Sequence, residues 1–346
     1  MKNTQVFNEK ALFSDTTEGY VSPAEPKPDD TVRIRFRAEK DTIDRVSLVS
    51  GDKNYPMTKE ISKGNFDFYS VSIRLNADKL TYCFWVEAGK IRGYYDMRGT
   101  LCKERDAHYA FILIPGFQTP DWAKGAVMYQ IYVDRFCNGD PSNDVLSGEY
   151  QYAGRRVAQV TDWNRYPETM DVANFYGGDL QGVLDKMDYL QELGVEVIYF
   201  NPLFVSPSNH KYDIQDYDYI DPHFGRIVED EGGLLPEGSD ENRLATRYVN
   251  RVTNKANLEA SNELFAEVVA EAHKRGMKVI LDGVFNHCGS FNKWMDRERI
   301  YENAEGYEKG AYVSADSPYR SFFKFGKKGE WPYNSDYESW WGYETL

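Results

Sequence analysis

One pattern occurs twice and constrains this chain more than any other: an amphipathic helix, a glycine, then a run of apolar residues. In DLQGVLDKMDYLQELG, Leu180, Val183, Leu184, Met187, Leu190 and Leu193 fall on one helical face. Gly194 suits the left-handed residue that closes such a helix, and VEVIYF follows as a buried strand. The unit returns in NELFAEVVAEAHKRG, where Leu264, Phe265, Val268 and Ala272 share a face and Gly276 leads into MKVILDGVF. Helix, glycine and hydrophobic strand, repeated, predict βαβ units and a parallel sheet, either doubly wound or closed as a (β/α)8 barrel. AVMYQIYVDRF, residues 126–136, is expected to be a further strand, buried on both faces.

Both parallel architectures put their sites at the carboxyl ends of the strands. There the run Lys278–Val279–Ile280–Leu281 hands over to Asp282, Asn286 and His287. An acid, an amide and an imidazole at that place form a candidate site, although strand-end Asp and Asn residues also cap loops.

Residues 1–117 have the other period. Val32, Ile34 and Phe36 alternate with Arg33, Arg35 and Arg37, and Tyr69, Val71, Ile73 and Leu75 repeat the spacing, which predicts a β-sandwich. IPGFQTPDWAKG, with its prolines and glycines, separates this part from residues 118–346. Aromatic residues make up 15% of the chain, enough both for Tyr-rich strands and for stacking on flat ligands.

Lys and Arg number 41 against 55 Asp and Glu, a net charge of −14. Nucleic acid and anionic membranes are therefore poor partners, whereas a neutral ligand or calcium is compatible. Cys83, Cys102, Cys137 and Cys288 form no CxxC pair. Together with a start that lacks an apolar leader, this predicts a soluble, cytoplasmic protein.

Four further stretches, in order, carry a resemblance: VMYQIYVDRFCNGDPSND, YGGDLQGVLDKMDYLQELGVEVIYFNPLF, SPSNHKYDIQDYDYIDPHFG and LDGVFNHCG. They resemble the α-amylase family of glycoside hydrolases, in particular its neopullulanase, cyclomaltodextrinase and maltogenic amylase branch. The resemblance implies an N-terminal sandwich that binds glucan or mediates a homodimer, followed by a (β/α)8 barrel. It implies that Asp282 and Asn286 shape the end of the third barrel strand while His287 hydrogen-bonds the sugar. Tyr212 would stack on that sugar, and Asp213 would order the loop; read without the motif, Tyr212 is a core aromatic beside Tyr217 and Tyr219. Asn138, Asp140, Asn143, Asp144, the Gly177 carbonyl and Asp179 would hold a structural calcium. Without the resemblance, those residues are a turn with solvated acids.

Retaining glycosidases need two carboxyl groups about 5–5.5 Å apart. In the family the nucleophile lies in a Gly-x-Arg-x-Asp context after the third strand, and no such pattern follows His287. Residues 288–346 resemble the start of the excursion after strand three, where Trp331, Trp340 and Trp341 either line sugar subsites or pack the excursion. The expectation is the front of a barrel, truncated after strand three and inactive alone, of an enzyme that cleaves α-glucans (maltooligosaccharides, cyclodextrins, pullulan or starch) by double displacement. The competing expectation is a non-catalytic carbohydrate-binding protein.

Overall fold

The computed structural model describes residues 7–339. The chain divides into two compact units, Met1–Lys124 and Gly125–Leu346.

In the first unit, β1 (Val21–Ser22), β2 (Thr31–Glu39), β5 (Thr58–Lys59) and β6 (Phe66–Arg74) form one antiparallel sheet, in the order β1-β2-β6-β5. The second sheet runs β4-β3-β7-β8-β9, built from β3 (Arg45–Ser50), β4 (Lys53–Pro56), β7 (Leu80–Ala88), β8 (Ile91–Tyr95) and β9 (Leu101–Cys102); β10 (Phe111–Leu113) pairs with β7. Alternation decides which face is buried. Val32, Ile34 and Phe36 of β2 enter a core with Leu48, Phe84 and Tyr95. The intervening arginines stay outside, where Arg35 lies over Phe68 and Arg37 over Phe66, at 4.5 and 4.4 Å from the ring centroids.

The second unit contains a parallel sheet of β11 (Met128–Ile131), β12 (Val197–Phe200) and β13 (Lys278–Leu281), in that order. Two expectations need correction. The first strand is only four residues long, with Met128 exposed, because among the described residues it pairs with β12 alone. The helix expected over residues 180–193 is two segments, α1 (Leu180–Asp185) and α2 (Met187–Glu192). They divide at Lys186, whose N–H bonds to the Val183 carbonyl, three residues back rather than four. The apolar face nonetheless stays buried through both.

Helices α3 (Thr246–Thr253) and α4 (Lys255–Lys274) follow, and the Asn254 side chain caps α4 by accepting from the Ala256 N–H. Gly194 and Gly276 have φ of +80° and +79°, the left-handed turn that sends each helix into its strand. Residues after β13 are largely irregular and pack through Phe291, Ile300 and Tyr301 against Tyr150 and Tyr248. All four cysteines are free. Among the described residues, no helix is long and apolar enough to cross a membrane.

Candidate active site

Beyond β13, Asp282 accepts from two phenols at one oxygen: the Tyr199 hydroxyl from β12 at 2.9 Å and the Tyr212 hydroxyl at 3.0 Å. Burial and the adjacent Asp282 carboxylate push the Tyr212 phenol up to about 12, so it stays a neutral donor. Asp282 is thereby occupied in fixing Tyr212.

The loop that carries Tyr212 is held from within. Asp213 accepts from the hydroxyls of Ser206, at 2.8 Å, and Ser208. Lys211 is fully buried, with φ +61°, and donates to the Ser206 carbonyl and to Asp221 at 2.8 and 2.7 Å. Asp221 in turn meets His223, which meets Glu149, which pairs with Arg251. Burial opposes the charge on His223, but Glu149 and Asp221, one on each ring nitrogen, raise its pKa. Both nitrogens face carboxylates, which the imidazolium satisfies.

The loop after β13 is drawn to this one at a glycine. A Cβ on Gly289 would lie 2.2 Å from the Asp213 carbonyl oxygen, and the Gly289 N–H donates to the Ile214 carbonyl at 3.0 Å. No larger residue permits that approach. It puts His287 on the same wall as Tyr212 and Asp213, around a cavity of about 660 Å³ that Tyr152, His210 and Glu298 also line.

Asn286 stands apart: it is exposed, and its amide lies 3.2 Å from the His287 Nδ1. The loop backbone is held instead by the Tyr217 hydroxyl, which reaches the carbonyls of Val284 and His287 at 2.8 and 2.7 Å. Tyr217 also stacks on Trp294, so it acts on the loop rather than on the cavity.

His210 was not singled out by sequence reasoning, although it stands two residues before Tyr212 in NHKYD. Its Nδ1 accepts from the Tyr212 N–H at 3.1 Å, and burial lowers its pKa, which leaves a neutral ring with Nε2 as donor. Glu298 was also missed; burial raises its carboxyl pKa. Trp331 packs within its own segment, donating to the Ala311 carbonyl at 2.8 Å and lying 5.2 Å from Phe325. Trp340 and Trp341 lie outside the described residues.

The expected cation loop gathers at the start of α1. Gly177, φ +80°, passes so close that a Cβ would meet Asp144 Oδ1 at 2.3 Å and Asn138 Nδ2 at 2.6 Å. Asn138 Nδ2 donates to Asp144 at 2.8 Å, while the Oδ1 atoms of Asn138 and Asn143 are buried without a hydrogen-bond partner. Burial pushes Asp144 up to about 6, with Asp179 and Asp134 adding repulsion. Two orphaned amide oxygens beside an underneutralised carboxylate fit a hard cation. Asp179 and Asp140 fit less well. Asp179 accepts from the N–H groups of Gly139, Asp140 and Gly182, capping α1, and Asp140 accepts from Ser142. Among the described residues, no three His, Cys, Asp or Glu side chains converge on one metal position.

The fold and the cleft define a two-unit protein whose parallel α/β unit carries an aromatic- and imidazole-lined site at its strand ends. Residues 130–235 and 260–345 match the alpha amylase catalytic domain, and residues 9–114 match the alpha amylase N-terminal Ig-like domain. The chain belongs to the alpha-amylase family. It is 31% identical to an amylopullulanase from Thermoanaerobacterium thermosulfurigenes, over 92% of this chain and 17% of that protein. It is 32% identical to neopullulanase 2 from Thermoactinomyces vulgaris over 81% of this chain and 42% of that one. The type III pullulan hydrolase from Thermococcus kodakarensis superposes with a TM-score of 0.52 and 26% identity, over 97% of this chain and 50% of that structure. The chain thus spans less than half the length of these two curated relatives.

Proposed function

We propose that this chain supplies the sugar-gripping part of an α-glucan glycoside hydrolase. The observation that carries the reading is the meeting of Tyr212 and His287 on one cavity of about 660 Å³. A glucosyl ring is neutral, with apolar faces and a rim of hydroxyls. The Tyr212 ring offers a flat apolar wall, while His287 and neutral His210 offer hydrogen bonds that need no charged partner. Asp282 acts through Tyr212, and Asp213 through the shape of its loop.

In the intact catalytic unit, cleavage proceeds by double displacement with retention, in a completed (β/α)8 barrel. The nucleophile and acid/base come from strand ends that the described residues do not include, and residues 7–339 alone are inactive. Asp213 is committed to Ser206 and Ser208, and Asp282 to two tyrosines, so neither is offered as nucleophile. Pullulan, cyclodextrins and maltooligosaccharides are the substrates proposed, from the names of the relatives.

Calcium is proposed as a structural ion held by the amide oxygens of Asn138 and Asn143, Asp144 and the Gly177 carbonyl. It would supply positive charge to a buried acidic loop and no bond chemistry. A cytoplasmic location and a homodimer formed through the N-terminal unit complete the proposal.

Binding and hydrolysis tests separate this from a purely carbohydrate-binding role. Maltotriose bound by the chain without hydrolysis, and hydrolysed by a longer chain carrying the remaining strands, supports the enzyme reading. Binding without hydrolysis by both favours the binding protein, and binding by neither ends both readings.

A further inference from the structure

A second cavity of about 500 Å³ lies beyond the first, and Val172 and His210 line both. Its outer wall is the segment over residues 161–170, which reaches both cavities: Trp163 lines the second and Met170 the first. The segment is anchored, since the Tyr176 hydroxyl donates to the Arg165 carbonyl at 2.8 Å and Trp163 meets Tyr176 edge to face at 5.9 Å. The Trp163 side chain still leaves 40% of its surface to solvent.

The inner wall carries two arginines whose charge is already matched. Arg135 stacks over the Tyr176 ring at 4.1 Å and pairs with Asp134 and Asp171 at 2.7 and 3.3 Å. Arg165 pairs with Glu168 at 2.6 Å. An anionic ligand would have to displace these carboxylates, so the lobe does not favour phosphate. A half-exposed indole beside neutralised guanidinium donors matches a neutral polyhydroxylated ring, apolar on its faces and rich in acceptors at its edge.

We propose that this lobe binds the glucosyl units of an α-glucan that extend past the ring seated on Tyr212, with Trp163 as the stacking platform and Arg165 as a donor. The inference rests on the proposed α-glucan function and adds chain-length selection to it. Maltose can be held in the first cavity alone, whereas a longer oligosaccharide crosses Val172 and His210 to reach Trp163.

The test is calorimetric titration of the full chain and its Trp163→Ala variant with maltose and with maltotetraose. The wild type should bind maltotetraose more tightly than maltose, and Trp163→Ala should weaken maltotetraose binding about threefold to tenfold while leaving maltose unchanged. An equal loss for both sugars, or none for either, overturns the lobe and leaves the α-glucan reading standing. If the wild type binds neither sugar, both fall. Should Trp163→Ala lower the melting temperature, Arg165→Met makes the same comparison at a side chain whose removal leaves the indole in place. Its failure to distinguish the two sugars would likewise overturn the lobe.

Discussion

The Tyr212 hydroxyl donates to Asp282 Oδ2 across 3.0 Å, joining the loop over residues 206–213 to the first residue beyond β13. The motif acid at the strand end therefore works through a neighbour's ring. Removing it leaves the Tyr199 and Tyr212 hydroxyls without their acceptor. Asp282→Ala should cost about 1–3 kcal/mol in denaturant unfolding and weaken sugar binding. Tyr212→Phe keeps the ring, so it should retain most of the binding that Tyr212→Ala loses. Equal binding by those two variants would remove stacking from the account.

Gly289 sets how closely the two loops meet. Because the obstacle is the Asp213 backbone carbonyl and not a flexible side chain, Gly289→Ala forces a loop to move. The expected outcome is a loss of about 1–3 kcal/mol in stability together with weaker sugar binding, as His287 withdraws from Tyr212. Unchanged melting and binding would show that the approach is not required.

How far the sequence announced this arrangement depends on the range of each interaction. The sandwich was legible because alternation along β2 is a local consequence of one buried face. The helix, Gly194 and β12 succession was equally local, although the division at Lys186 was not. NHKYD and DGVFNH marked the strand-end loops, but no local rule says that Gly289 touches Asp213 or that Tyr199 and Tyr212 share Asp282. Those depend on segments roughly 70 to 80 residues apart. Tyr217 was passed over as one of several tyrosines, although it is the residue that holds the His287 backbone. Asn286 shows the reverse error: motif position suggested support, and the structure places the side chain in solvent.

The Arg251–Glu149 pair is buried at both ends, and Arg251 also donates to the Asp144 carbonyl at 2.9 Å. Arg251→Met would leave Glu149 with His223 and Leu146 but without its guanidinium. A loss of about 3–5 kcal/mol is expected from chemical denaturation. A loss below 1 kcal/mol would mean that the pair is dispensable.

Asp296 is fully buried and accepts from the Tyr301 N–H at 3.0 Å, and burial pushes its carboxyl up to about 7. Its folded pKa therefore lies above the ordinary 3.8, so the folded state binds the proton more tightly. Stability from this group falls as pH rises from about 4 through 7. Asp296→Asn removes the titration: relative to wild type, its stability should rise steadily between pH 4 and pH 8. A pH-independent difference would contradict the assignment.

Calcium added to chelator-treated protein should raise the melting temperature, and Gly177→Ala, which drives a Cβ into Asp144 and Asn138, should abolish the increase. A melting curve that ignores both chelator and calcium would remove the ion from the proposal.

The claim that Tyr212 and His287 form one sugar site is tested most directly by titrating maltotriose into the wild type, Tyr212→Ala and His287→Ala, with melting curves recorded in parallel. The account predicts binding by the wild type, a loss of at least tenfold in each variant and little change in melting for His287→Ala. Undiminished affinity in both variants, or no binding by a folded wild type, would contradict it.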